Sequence, residues 1–138
     1  MNPSTISLVQ QGLKIEKENS ARAHKLYEEA WSIAVSHQDK SIAAHFLART
    51  QKDTLSKFKL NKIALEEALL APEAEVKSYF PSLYFCLGQS HEDLGDMVSA
   101  KKYYALAHSK ISDLPLTKES EEYNDDLIKQ ISEKLENL

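Results

Sequence analysis

The sequence predicts an all-α protein, and three observations lead to this fold class. Glycine and proline together number only seven among 138 residues, whereas a small β-sandwich or barrel needs a Gly- or Pro-bearing turn about every 8–12 residues. Leu, Lys, Ala and Glu, which favour helices, make up 61 of the 138 residues instead. Apolar residues also recur at spacings of three and four, as one face of a helix requires.

This periodicity predicts seven helical segments. Ser20, Asp96 and Thr117 are expected to begin helices, because their side-chain oxygens can accept a hydrogen bond from a free backbone N–H. Pro72 is expected to close the fourth segment, and Pro81 suits the first turn of the fifth, where its missing N–H costs nothing. The predicted segments, in chain order, are 5–17, 20–34, 39–55, 59–71, 81–95, 97–111 and 118–138.

The second, fourth and sixth segments share one pattern. The pattern is a small residue, a large apolar residue four positions later, and an alanine three positions after that, all on one helical face. The fourth segment departs from it at the first position, where Asn61 stands in place of a small residue. Small residues let neighbouring helices approach closely, while the large one fills the space between them. The three instances are Ala23-Tyr27-Ala30, Asn61-Leu65-Ala68 and Ala100-Tyr104-Ala107, at offsets of 38 and 39 residues. The chain is therefore predicted to contain three repeats.

The third repeat carries a longer motif, which resembles the tetratricopeptide repeat. That family's unit is a pair of antiparallel helices in 34 residues, with the pattern W-x2-L-G-x2-Y…A-x3-F…P. By this resemblance, Gly88 lies at the close contact of the two helices and Gly95 at their turn. The matching residues are Tyr84, Leu87, Gly88 and His91, then Leu94-Gly95-Asp96, then Ala100, Tyr104 and Ala107. The corresponding first-helix positions are Ser7, Gln10, Gln11 and Lys14 in the first repeat, and His45, Ala48, Arg49 and Lys52 in the second.

The resemblance implies an α-solenoid of antiparallel helix pairs within one domain, residues 1–138. Its expected parts are repeat 1 (4–37), repeat 2 (40–71), repeat 3 (81–112) and a capping helix (117–138). It also implies a scaffold that binds a protein or peptide on its concave face, without catalysis. Two other functions stay open: a homo-oligomeric assembly protein, such as a homodimer, and a regulatory sensor for a short peptide.

In that family the first helix of each pair lines the binding surface. Phe46 and Phe85 would be hydrophobic anchors there, although both rings could instead pack between repeats. Chaperone-binding members hold a terminal carboxylate with Lys and Asn, which Leu8, Gly12, Phe85 and Gln89 replace, so no such clamp is expected. The candidate groove residues are Thr5, Leu8 and Gly12, then Ala43, Phe46, Thr50 and Asp53, then Ser82, Phe85, Gln89 and Glu92.

No catalytic, metal or cofactor site is expected. The five histidines fall in different predicted helices or helix ends, without a His-Glu-x-x-His or Cys-x-x-Cys spacing. The only cysteine, Cys86, has no nucleophile motif around it and is predicted to be buried. The three glycines stand alone, so there is no Gly-rich phosphate loop.

The charge is uneven along the chain. Residues 113–138 carry eight acidic and three basic side chains, so the last helix is expected to have either a solvated acidic face or a docking surface for a basic partner. The basic stretch from Arg49 to Lys62 gives the only support for a nucleic-acid partner, and a solvated surface explains it more simply. No apolar run reaches membrane-spanning length, no secretory signal is expected at the start, and the lone cysteine favours a reduced, cytoplasmic setting.

Overall fold

The computed structural model describes residues 3–115 and 117–138, and in these ranges the chain folds into helices joined by short turns, without a strand. The all-α prediction is confirmed. Met1, Asn2 and Leu116 lie outside the described residues. The helices are α1 (Pro3–Ile15), α2 (Ser20–Ile33), α3 (His37–Arg49), α4 (Thr54–Leu70), the four-residue α5 (Glu73–Val76), α6 (Phe80–Asp93), α7 (Met97–Ser109) and α8 (Lys118–Asn137).

Side-chain caps set where most of these helices begin. Asp96 accepts a hydrogen bond from the backbone N–H of Ser99, and Thr117 accepts one from Ser120, so both predicted caps are confirmed. The prediction for Ser20 is wrong by one residue, because Asn19 caps α2. Ser36 caps α3.

The third and fourth segments differ most from their predicted bounds. Asp53 accepts hydrogen bonds from both the backbone N–H and the hydroxyl of Ser56, at 2.8 and 2.7 Å. This cap begins α4 at Thr54, five residues earlier than predicted, and α3 has already ended at Arg49. The short α5 and the 3-10 turn after it, Lys77–Tyr79, were not predicted.

The chain forms two compact units, unit 1 (Met1–Glu73) and unit 2 (Ala74–Leu138). A single domain over residues 1–138 stays a prediction. In unit 1, short connections fold α2 back on α1 and α4 back on α3, and α2 also packs against α3. In unit 2, α7 folds back on α6, and α8 packs against α7.

The repeated pattern of small and large residues forms the buried face of its three helices. In α2 and α7 the buried residues are only the three members of the pattern, and in α4 they are joined by Ala64. Tyr27 and Tyr104 are fully buried. The buried residues of the pattern are Ala23, Tyr27 and Ala30, then Asn61, Leu65 and Ala68, then Ala100, Tyr104 and Ala107.

The core of unit 2 continues from α6 and α7 into α8. Phe85, Tyr104, Leu127 and Ile131 belong to one buried cluster. Tyr123 lies on the apolar stripe of α8 with Leu127 and Ile131, yet it is 54% exposed, and Asn124 is buried instead. The amide of Asn124 donates a hydrogen bond to the carbonyl of Pro115, at 2.7 Å, which fixes this rotation of the helix.

Candidate functional site

The two glycines inside helices lie where a helix meets the ring of a buried tyrosine. A Cβ atom on Gly88 would lie 2.6 Å from the Tyr104 ring, so this predicted close contact is confirmed. A Cβ atom on Gly12 would overlap the Tyr27 ring in the same way. Gly12, and not the exposed Gln11, is therefore the counterpart of Gly88, and the predicted alignment of α1 is wrong by one residue.

A carboxylate lies one helical turn after each of these glycines. In unit 1 the Tyr27 hydroxyl donates to Glu16 at 2.9 Å, and the Arg49 guanidinium binds both oxygens of the same carboxylate, at 3.2 and 2.6 Å. We call Gly12, Glu16, Tyr27 and Arg49 cluster 1. It joins three helices, α1, α2 and α3, through one carboxylate.

Unit 2 repeats this arrangement with a lysine. The Tyr104 hydroxyl donates to Glu92 at 2.7 Å, and the Lys134 ammonium donates to the same oxygen at 3.0 Å while lying 5.9 Å from the centre of the Tyr104 ring. We call Gly88, Glu92, Tyr104 and Lys134 cluster 2. It joins α6, α7 and α8, so α8 stands in unit 2 where α3 stands in unit 1.

The clusters change the proton affinity of their members. Hydrogen bonds from Tyr104 and Lys134 hold the pKa of Glu92 below its ordinary value. Partial burial opposes ionisation of Glu16, but the hydrogen bonds from Arg49 and Tyr27 outweigh it, so the pKa of Glu16 is also lowered. Burial and the facing carboxylates raise the pKa of both tyrosines. At neutral pH each cluster thus holds an ionised carboxylate, a neutral tyrosine and a cation.

Beside cluster 2 an open groove of about 420 Å³ runs between α6 and α8. We call it the α6–α8 groove. Its volume is within the range of sites that take small ligands or a few residues of a peptide. The lining residues are Gln89, Glu92, Gln130, Glu133, Lys134, Asn137 and Leu138. Two of them, Gln89 and Glu92, are groove residues that the sequence predicted, and both line this groove from α6.

The other two candidates in α6, Phe85 and Ser82, already contact residues of unit 2. Phe85 is 5% exposed, and its ring centre lies 5.6 Å from that of Tyr104. Such burial excludes Phe85 from a surface contact of the folded unit, which agrees with the packing alternative. Ser82 shares a hydrogen bond with the Tyr123 hydroxyl of α8.

The candidates in unit 1 do not converge on one groove. Thr5 is fully buried, Leu8 is half-buried, and Asp53 is occupied in capping α4. The Thr50 hydroxyl lies 2.8 Å from Nδ1 of His24 and also donates to the carbonyl of Leu47.

Phe46 is half-buried and lies between charged and aromatic neighbours. Its ring centre is 5.9 Å from that of Tyr27, and the Arg49 guanidinium lies 5.7 Å from it. His45 meets the same ring edge-on. Burial and the nearby Arg49 charge lower the pKa of His45 to about 4.

Aromatic rings also stack along α6 and α7. The His91 ring lies parallel to that of Tyr103, with centres 5.2 Å apart, and the Tyr84 ring stacks on the same residue at 6.3 Å. The two flat rings that replace the Trp and Tyr of the repeat pattern therefore stack on a shared partner. Cys86, predicted to be buried, is only partly so.

The sequence analysis did not identify Glu16, the hydrogen-bond acceptor of cluster 1, or any of the α8 residues that line the groove. The signal for the clusters was present as Gly-x3-Glu at residues 12–16 and 88–92, followed by a tyrosine eleven or twelve residues after the glutamate. The α8 residues carry no such signal, since their position depends on how that helix packs. They are Gln130, Glu133, Lys134 and Asn137.

Comparison with known proteins finds no match, since no protein-family model, no curated protein and no solved structure is significantly similar to the chain. In the part of the chain that the structure describes, no group of three or more His, Cys, Asp or Glu side chains could hold a metal ion. None of the described helices combines the length and the apolar character that crossing a membrane requires.

Proposed function

We propose that this protein is a peptide- or protein-binding module, and that the α6–α8 groove is its contact surface in unit 2. The observation that carries the proposal is the juxtaposition of Gln89, Gln130 and Asn137 in one open groove. A side-chain amide has both donors and an acceptor, so three of them can bind the backbone of an extended peptide. Among the described residues, the side-chain amides of Gln89 and Asn137 make no hydrogen bond to the protein, whereas the amide of Gln130 donates one to Asp126 at 2.8 Å and keeps its oxygen as an acceptor.

We also propose that the helix pairs are repeats of the tetratricopeptide type, forming an α-solenoid. The shared buried pattern of α2, α4 and α7 supports this proposal, as does the recurrence of the Gly–Tyr contact in α1–α2 and α6–α7. Cluster 2 supports a binding role, because its hydrogen bonds join α6, α7 and α8 beside the groove and so reduce what must be ordered when a ligand binds. The protein acts by presenting a preformed surface, without catalysis or a cofactor, in the cytoplasm.

A random peptide library displayed on phage and selected on the immobilised protein tests the proposal. Gln89→Trp places an indole in the groove, and Ala105→Trp places one on the exposed face of α7 as a matched control. Selected peptides should lose affinity by about tenfold or more in the Gln89→Trp variant and keep it in the Ala105→Trp variant. Selection that enriches no peptide, or an equal loss in both variants, would contradict the proposal.

A further inference from the structure

The two units differ in charge, and unit 2 is strongly acidic. Residues 74–138 carry twelve acidic and seven basic side chains, a net charge of −5. Residues 1–73 carry nine acidic and ten basic side chains, a net charge of +1. An approaching cation is therefore attracted to unit 2, while nucleic acids and acidic peptides are repelled by it.

Inside the α6–α8 groove the charges are only partly balanced. Lys134 and Glu92 form an ion pair at 3.0 Å, so their charges largely offset each other. Glu133 is exposed and has no ion-pair partner among the described residues. Glu133 is therefore a carboxylate in the groove whose charge is balanced by solvent or by a bound ligand.

One wall of the groove already binds an ammonium group of the protein itself, that of Lys134. Lys134 is bound by a carboxylate and lies over the Tyr104 ring. Because Lys134 already occupies the Glu92 carboxylate, a cation from a ligand would bind Glu133 instead. The amides of Gln89 and Asn137 remain available to the backbone of the residues beside that cation.

We propose that the α6–α8 groove takes an extended peptide segment that bears lysine or arginine, with Glu133 binding the cationic side chain and the amides of Gln89 and Asn137 binding the main chain. This inference rests on the proposed function of the groove as a peptide site. The volume of about 420 Å³ suits one long side chain with its neighbouring backbone.

Fluorescence anisotropy with three labelled peptides of equal length tests the inference. The probes are Gly/Ser peptides containing lysine, containing glutamate, or containing neither. The lysine peptide should bind most tightly. Glu133→Gln should raise its Kd by about tenfold, because a charge-assisted contact is lost.

Glu121→Gln is the matched control, since it removes the same charge from an exposed residue of α8 outside the groove. It should raise the Kd by less than about twofold, as expected of long-range attraction alone. Equal effects of the two variants would overturn the inference, because they would show attraction to the acidic surface in general. Tighter binding of the neutral or glutamate peptide would also overturn it.

The phage selection separates failure of this inference from failure of the proposed function. Enrichment of neutral or acidic peptides that Gln89→Trp rejects would overturn the inference while supporting a peptide site. Enrichment of lysine- and arginine-bearing peptides that Glu133→Gln weakens more than Glu121→Gln supports both. Enrichment of no peptide overturns both.

Discussion

Unit 1 and unit 2 build the same carboxylate-centred cluster and complete it with different cations. In cluster 1 the Arg49 guanidinium binds both oxygens of Glu16. In cluster 2 the Lys134 ammonium binds the one oxygen of Glu92 that Tyr104 also uses. An arginine fork fixes two helices in orientation as well as distance, whereas an ammonium acts as a point charge.

The two clusters differ in what they leave beside the helices that they join. The bidentate pair in unit 1 ties α3 to α1. The single contact in unit 2 ties α8 to α6 and leaves a polar groove beside it. The α3–α4 pair has no such cluster among the described residues. Arg49 and Leu65 stand where the other pairs have glycine and tyrosine, and Asp53, which caps α4, stands where they have glutamate.

The largest expected effect comes from breaking the close helix contact in either unit. Gly12→Ala and Gly88→Ala should each lower the free energy of unfolding by about 2 kcal/mol, because the added methyl group overlaps a fully buried tyrosine ring. Urea denaturation measures this loss. Gln11→Ala is the matched control and should change stability by less than about 0.5 kcal/mol. A larger loss in Gln11→Ala than in Gly12→Ala would restore the alignment that the sequence alone predicts.

Removing the tyrosine hydroxyls should have the next largest effect. Tyr27→Phe and Tyr104→Phe each delete one hydrogen bond to a carboxylate and keep the ring. We expect a loss of about 1 kcal/mol in each variant. Tyr103→Phe, at a half-buried ring outside both clusters, is the control for urea denaturation. No loss in either cluster variant would show that the hydroxyl bonds do not stabilise the units.

The pH dependence of stability should distinguish the units, because His45 lies in unit 1. Its pKa is lowered to about 4 from an ordinary value of 6.5, so between these values the unfolded chain binds more protons than the folded one. Stability should therefore fall as the pH drops from 6.5 towards 4. His45→Phe should remove this contribution, as urea titrations at several pH values would show. An unchanged slope in His45→Phe would contradict the burial of a neutral His45.

The smallest expected effects come from exchanging the two cations. Arg49→Lys should cost about 0.5 kcal/mol, because one of two contacts to Glu16 is lost at a site that is partly exposed. Lys134→Arg should change stability by less than this, and it should weaken peptide binding if the longer fork crowds the groove. Thermal unfolding and anisotropy measure the two effects. Equal losses of stability in Arg49→Lys and Lys134→Arg would contradict the proposed difference between the clusters.

The sequence predicted every described helix except the short α5, and also the buried faces of α2, α4 and α7, because small and large residues at fixed helical spacing leave few other ways to pack. It placed α1 one residue out of register because Gly12 precedes Tyr27 by fifteen residues, whereas Gly88 precedes Tyr104 by sixteen. The turn that joins α1 and α2 has no glycine and relies on Asn19 as a cap, so it is built differently from the turn at Gly95.

The candidate site was less predictable than the fold. Gln89 and Glu92 were identified from α6, but the opposite wall of the groove depends on the rotation of α8 about its axis. That rotation follows from the burial of Asn124 and its bond to Pro115, although Tyr123 is the more apolar of these two neighbouring residues. A tertiary hydrogen bond of this kind leaves no periodic signal in the sequence.

The most direct test of a peptide site in the α6–α8 groove is nuclear magnetic resonance of the side-chain amide groups. A peptide selected from the library should shift the side-chain NH₂ resonances of Gln89, Gln130 and Asn137 together, and Gln89→Trp should abolish the shifts of the other two. The amides of Gln10 and Gln11 on α1 should stay unchanged. Shifts confined to residues 1–73, or shifts in unit 2 that persist in Gln89→Trp, would contradict the account.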